Sequence, residues 1–190
     1  MNKKTFVVNL IGGPGIGKTT ISALLFAKLK LHQNKYIVEY VQEYAKQLVW
    51  TKNFDTLNNQ YFVSNHQYKL LKQMNNEVDY IVTDGPIILG IYYNLYNKDN
   101  ISNVDKTKNF ILRSYAEFNN INIFLNRGEF TYEQLGRIQT EDESREIDVI
   151  LKHLLKQNSI NFASFDASAS DENINKIIDY IIKETTTCKL

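Results

Sequence analysis

"IGGPGIGKTT", residues 11–20, decides how the rest of this chain is read. It follows a β-rich apolar run, "TFVVNLI" at residues 5–11, and it precedes Ile21, Leu24, Leu25 and Leu29, which fall at helical spacing as far as Leu31. A strand therefore runs through a glycine turn into a helix. Gly12, Gly17, Lys18 and Thr19 satisfy G-x-x-x-x-G-K-T, the pattern of a phosphate-binding loop. The glycines let the backbone curl so that successive N–H groups face an anion at the positive end of a new helix. Lys18 is placed to reach β- and γ-phosphates, and Thr19 to offer its hydroxyl to Mg²⁺. Gly12, Gly13, Gly15, Ile16, Gly17, Lys18, Thr19 and Thr20 are thus expected to bind ATP, with Mg²⁺ as its companion. A glycine-rich turn without a ligand would not need the full spacing between a strand and a helix.

Outward from this stretch, strands and helices alternate. "KYIVEYV" (35–41) reads as a second strand, "DYIVTD" (79–84) as a third, "INIFLN" (121–126) as a fourth and "INFASF" (160–165) as a fifth. Helical stretches are expected at 43–50 and 57–74. Ile147, Ile150, Leu151, Leu154 and Leu155 mark a further helix, opened by a capping box of Thr140 and Glu143. Ile174, Ile177, Ile178, Ile181 and Ile182 mark a last one. This alternation predicts an α/β fold of the P-loop NTPase kind, a kinase-like parallel sheet of five strands with helices on both faces. With no repeat, no low-complexity linker and two prolines, residues 1–190 are expected to form one domain.

Composition narrows the function classes. A net charge of +1 forces no broad basic surface, which weakens readings built on wrapping duplex DNA. One cysteine, Cys188, supports neither a disulfide framework nor a cysteine-based metal site, and a cytoplasmic setting is expected. The apolar run near the start is too short for a signal peptide, and "PIILGIYYNLY" (86–96) is far short of a bilayer span. No membrane partner is expected.

A phosphate-binding loop names the donor but not the reaction. Asp84 ends the third strand, and ligands of parallel sheets gather at the carboxyl ends of strands, so Asp84 is expected near Lys18 as a Mg²⁺ or catalytic carboxylate. The competing reading is an aspartate that only starts the Gly-Pro turn. Glu43, after the second strand, is placed to take a proton from an acceptor hydroxyl. Its competing reading is a first-turn glutamate facing the helix dipole. Glu39 lies deeper in the strand.

Of 22 basic residues only Arg113, Arg127, Arg137 and Arg145 are arginine, and three of them crowd into "LNRGEFTYEQLGRIQTEDESR" (125–145). Where lysine suffices for solubility, arginine marks planar phosphate recognition. The segment at about 127–145 reads as a lid, with Arg127 and Arg137 as catalytic candidates; Arg145 could equally pair with nearby acids. A lid excludes water from transfer to another acceptor, which favours a kinase over a plain ATPase.

After Glu43 comes a run of aromatic and amide groups: Tyr44, Trp50, Phe54, Gln60, Tyr61, Phe62, His66, Gln67 and Tyr68. Aromatic faces stack on nucleobases, and an amide can pair with a base edge, so this is the expected acceptor wall, with 84–96 opposite. For any single ring, a place in the core or rim is the plainer reading, and His66 is expected to be a packed helix residue.

"GGPGIGKTT", "EYAK" (43–46), "VTDGP" (82–86) and "FLNRG…GRIQTEDES" (124–144) together resemble the P-loop AAA-type domains grouped with the nicotinamide riboside kinase domain of NadR. Phage and bacterial proteins of similar length look alike, and a phage-encoded chain would work in the host cytoplasm. The resemblance covers nearly the whole chain. It implies ATP-dependent phosphorylation of a hydroxyl or phosphate on a nucleoside- or nucleotide-like acceptor, with Lys18 and Thr19 on phosphate and metal and Glu43 and Asp84 on the acceptor side. Lys46 stands where such proteins often carry Arg. Related phage kinases phosphorylate hydroxymethylated bases in DNA, so modified DNA or a polynucleotide end is an alternative acceptor; an ATPase or nucleotide switch is another reading.

Overall fold

A computed structural model describes residues 4–128, 132–133, 135 and 138–187. Five parallel strands lie in the order β2-β3-β1-β4-β5: β1 (Phe6–Ile11), β2 (Val38–Val41), β3 (Tyr80–Thr83), β4 (Asn119–Asn126) and β5 (Ala163–Asp166). β1 is buried on both sides, as an apolar run in a covered parallel sheet should be. Its alternate side chains divide the core. Phe6, Val8 and Leu10 pack beneath α1 (Lys18–Lys30) and α8 (Asp171–Thr187), with Leu25, Leu29, Ile174, Ile177 and Ile181. Val7 and Ile11 face α4 (Gln60–Lys72), α6 (Val104–Ala116) and α7 (Glu141–Gln157), through Leu71, Ile111, Ile147 and Leu151. This is the P-loop NTPase kinase fold that the alternation implied.

The helix over 43–50 is α2 (Tyr44–Trp50). The stretch expected at 57–74 is α4, and a short helix that the sequence reading did not mark, α3 (Phe54–Leu57), precedes it; Asn53 and Asn59 cap the two starts by accepting from a backbone N–H three residues on. The capping box of α7 is present: Thr140 Oγ1 accepts from Glu143 N and Glu143 Oε2 from Thr140 N. After β3 the chain makes one 3-10 turn (Ile87–Leu89) and enters α5 (Gly90–Tyr96).

Two features exceed the sequence reading. β4 begins at Asn119, because buried Asn9 of β1 donates from Nδ2 to both Asn120 Oδ1 (2.9 Å) and Asn122 Oδ1 (3.0 Å), which extends the pairing through polar positions. α6 carries a thin apolar stripe, with Thr107, Ile111 and Ser114 as its buried residues, so hydrophobic periodicity alone did not mark it.

The carboxyl ends of β1, β3 and β2 open onto one side. The loops that follow them carry the glycine run, Asp84 and Glu43.

Candidate functional site

The glycine run folds as a tight loop from β1 into α1. Gly15 and Gly17 have φ of 72° and 93°, a region in which a side chain is strained, and Gly17 is the N-cap of α1 without a side-chain cap. Gly13 is needed for closeness instead: a Cβ there would fall 2.7 Å from Ser144 O and 2.8 Å from Asp148 Oδ1 on α7. A Cβ on Gly15 would collide with the Tyr132 ring, whose hydroxyl donates to Gln139 O. Lys18 is buried and its Nζ donates to Gly12 O (2.8 Å) and Gly13 O (3.0 Å), so the ammonium sits in the curl of its own loop. Burial pulls its pKa down, while the charges of Glu43, Asp84 and Asp148 pull it back up.

Asp84 spans two elements. Its Oδ2 accepts from Thr19 Oγ1 at 2.6 Å and its Oδ1 from Glu43 N at 2.9 Å. The turn after it is held by Thr83, whose Oγ1 accepts from Gly85 N, so Asp84 is not needed to start that turn. Gly85 allows the meeting of the two loops, since a Cβ there would fall 2.5 Å from Glu43 Cα. Glu43 occupies the N-cap of α2, yet its side chain makes no cap hydrogen bond. Its carboxylate lines the cleft instead. Burial pushes its pKa up, Lys18 and Lys46 oppose that, and Asp84 adds to it. Tyr93, also at the cleft, is raised by burial and then by the Glu43 charge. Glu39 points elsewhere, 3.7 Å from Lys30 Nζ.

Thr19 and Asp84 form a donor set of one hydroxyl and one carboxylate. That set suits Mg²⁺, which keeps several waters and is completed by phosphate oxygens. Among the described residues no group of three or more His, Cys, Asp or Glu forms a dedicated metal cage. Lys46 Nζ stands 3.5 Å from Thr19 Oγ1, a single ammonium beside the hydroxyl that Asp84 holds.

A cleft of about 1090 Å³ joins this cradle to a second space. Of the expected acceptor wall, Trp50, Phe54, Gln60 and Gln67 line it, and Tyr92, Tyr93 and Tyr96 form the opposite side. Trp50, Phe54 and Tyr96 are about half exposed, so their rings are open at the mouth. The other expected residues are used elsewhere. Tyr44 stacks on His66 with centroids 3.8 Å apart, Tyr61 packs on Phe110, and the Tyr68 hydroxyl donates to Glu117. Gln67 lines the cleft but is spent on backbone: Oε1 accepts from Tyr44 N and Nε2 donates to Gln42 O, which props the loop bearing Glu43.

The arginines separate sharply. Arg127 is buried directly after β4, with Nε 2.8 Å from Asp148 Oδ2 and Nη2 donating to Pro14 O at 3.0 Å. Arg145 sits on the outer face of α7 paired with Glu141, four residues earlier. Arg113 lies on α6, away from this cleft, and Arg137 lies outside the described residues. Sequence reasoning missed Asp148. Its position four after buried Ser144 and three before buried Leu151 was the available signal, a carboxylate on the inward face of an amphipathic helix.

No described helix is long and apolar enough to cross a membrane. Among solved structures, thymidylate kinase from Ehrlichia chaffeensis is similar at a TM-score of 0.62 and 17% identity, over 96% of this chain and 99% of that one. Deoxyadenosine kinase from M. mycoides is similar at 0.60 and 17%, over 95% and 99%. Thymidylate kinase from Candida albicans is similar at 0.57 and 14%, over 96% and 93%. At these identities the likeness is one of fold. No curated protein matches by sequence. A family model described as an AAA domain matches residues 7–171, from the second residue of β1 to the start of α8, and the chain belongs to that family.

Proposed function

We propose that this protein is an ATP-dependent kinase that transfers the γ-phosphoryl group to a hydroxyl or phosphate of a nucleoside- or nucleotide-like acceptor. The observation that carries the reading is the cleft in which Lys18, Thr19, Glu43 and an open aromatic wall meet, with buried Asp84 bonded to Thr19 and to the Glu43 backbone behind it. A plain ATPase has no use for a second aromatic chamber beyond its phosphates. The names of the fold relatives, thymidylate and deoxyadenosine kinases, are in keeping with such an acceptor.

In this reading the turn at residues 15–17 and the first residues of α1 hold the phosphates by backbone N–H groups, and Lys18 leaves its two carbonyls to follow the β- and γ-oxygens. Mg²⁺, when bound beside Thr19 and Asp84, neutralises charge on the transferring group. Asp84 has both oxygens committed, one to the Thr19 hydroxyl and one to Glu43 N–H, so it orients the centre. Glu43 has a carboxylate free of cap duty and a raised pKa, the properties of a proton acceptor for an attacking hydroxyl. Trp50, Phe54 and the Tyr92–Tyr96 pair, whose rings stack 5.0 Å apart, offer flat faces to a base.

The test is a screen of γ-labelled ATP against nucleosides, nucleotides and hydroxymethylated DNA, with Lys18→Ala as control. Label on a nucleoside or nucleotide, lost in the variant, is expected. Label only on DNA moves the acceptor to a polymer, and free phosphate with no labelled acceptor overturns the kinase reading.

A further inference from the structure

The bridge between the phosphate loop and α7 uses every atom of one carboxylate. Asp148 Oδ1 accepts from Gly13 N at 2.5 Å and Oδ2 accepts from Arg127 Nε at 2.8 Å. Arg127 in turn donates from Nη2 to Pro14 O, so carboxylate, guanidinium and loop backbone form one closed ring of hydrogen bonds. The Arg127 side chain is 6% exposed and that of Asp148 14%. Gly13 has no side chain to obstruct this contact, and any Cβ there would strike Asp148 and Ser144.

The ring leaves one polar group over. Nη1 of Arg127 is buried and has no hydrogen-bond partner among the described residues. A guanidinium is planar, so anchoring Nε and Nη2 also fixes where Nη1 points. Its Nη2 sits on Pro14 O and 3.3 Å from where a Cβ on Gly13 would lie, which places the guanidinium beside the same cradle. A buried cationic donor without an acceptor is costly unless an anion completes it. The neighbouring anion-binding element is the phosphate loop itself.

We propose that Asp148 is a positioning residue: it locks Arg127 to the phosphate loop so that the unpaired Nη1 is held ready for the terminal phosphate of a nucleoside triphosphate. Arg127 then acts from the frame of the protein, anchored to Asp148 of α7 and to Pro14 of the phosphate loop. The inference rests on the proposed ATP-dependent transfer for its catalytic consequence, but its binding consequence stands apart from any acceptor.

The experiment is titration of MgATP and MgADP into wild type, Asp148→Asn and Arg127→Lys, together with kcat, acceptor KM and Tm. Asparagine keeps an acceptor for Gly13 N–H but turns away from Arg127 Nε, and lysine keeps the charge without Nη1. Both variants are expected to lose roughly 10- to 100-fold of the preference for ATP over ADP, with ADP affinity and acceptor KM within about threefold of wild type and kcat lower by a similar factor. A lower Tm with an unchanged ATP-to-ADP ratio, in either variant, overturns the proposal and leaves Asp148 as an anchor for α7. If Asp148→Asn does not fold, Arg127→Lys decides alone by the same ratio. If wild type labels no acceptor, the kinase reading fails while the affinity ratio still decides the role of Asp148.

Discussion

In the half of the cleft that we propose for the donor, and in the buried layer behind it, neighbouring residues satisfy one another: Lys18 bonds Gly12 and Gly13, Thr19 bonds Asp84, and Arg127 bonds Pro14. The half that we propose for the acceptor is assembled from α2, α3, α4 and α5, and its rings at Trp50, Phe54 and Tyr96 stand open to solvent. A phosphate is the same in every nucleotide, so its cradle can be rigid and complete in advance. An acceptor is particular, and its site is left as shape and aromatic surface until the ligand supplies the missing contacts.

Breaking the donor half should have the largest effect. Lys18→Ala is expected to lower transfer by roughly 10³-fold or more in a protein that still melts cooperatively. A radiometric assay and a melting curve measure the two together; retained transfer would remove Lys18 from the chemistry. Next comes the hinge between the halves. Gly85→Ala pushes a Cβ against the Glu43 backbone, and a loss of about 1–3 kcal/mol in stability is expected, with a fall in kcat at unchanged ATP affinity. Denaturant melts and nucleotide titration separate these effects.

The acceptor half should respond in KM. Trp50→Ala or Phe54→Ala is expected to raise acceptor KM roughly 5- to 100-fold, the scale of about 1–3 kcal/mol per base stacked, and to leave ATP binding alone. Equal changes in both substrates would mean that the rings shape the whole cleft. Smallest is Arg145→Ala, which removes an exposed i,i+4 pair with Glu141. A stability change of at most about 0.5 kcal/mol and activity within twofold of wild type are expected. Set beside Arg127→Lys, it distinguishes the arginine fixed to the phosphate loop from the one facing water.

The same contrast governs what could be read before the fold was known. The proposed phosphate loop is contiguous, so spacing alone marked Gly12 to Thr20 as candidates, and strand-end position marked Asp84 and Glu43, which the structure brings beside Thr19. The five strands and the capping box of α7 followed from local pattern. α6 stayed hidden because two of its three buried residues are polar, and the hydrogen bonds from Asn9 to Asn120 and Asn122 accompany a β4 that starts at Asn119, two residues before the expected strand. Of the nine aromatic and amide groups proposed for the acceptor, four line the cleft; helical phase sent Tyr61 and Tyr68 toward α6 and paired Tyr44 with His66. Asp148 looked like one more acid on a charged helix, since its partners Gly13 and Arg127 are distant in sequence.

Glu43 stands where the two halves meet, and it carries a stability signature beside the catalytic role proposed for it. Its folded pKa lies above the ordinary glutamate value because burial disfavours the carboxylate. The protonated form therefore fits the fold best: its contribution is fully present below the unfolded pKa of about 4.3 and is lost as pH rises through the raised folded value. Glu43→Gln should accordingly gain Tm over wild type as pH increases across that window.

The most direct measurement is the pH dependence of single-turnover phosphoryl transfer in wild type and Glu43→Gln, with ATP affinity measured alongside. Wild type is expected to show a rising limb centred above the usual glutamate range, and the variant to transfer roughly 10²-fold or more slowly without that limb while binding ATP as before. A Glu43→Gln protein that keeps the wild-type rate and the wild-type limb would contradict the assignment of Glu43 as the proton acceptor.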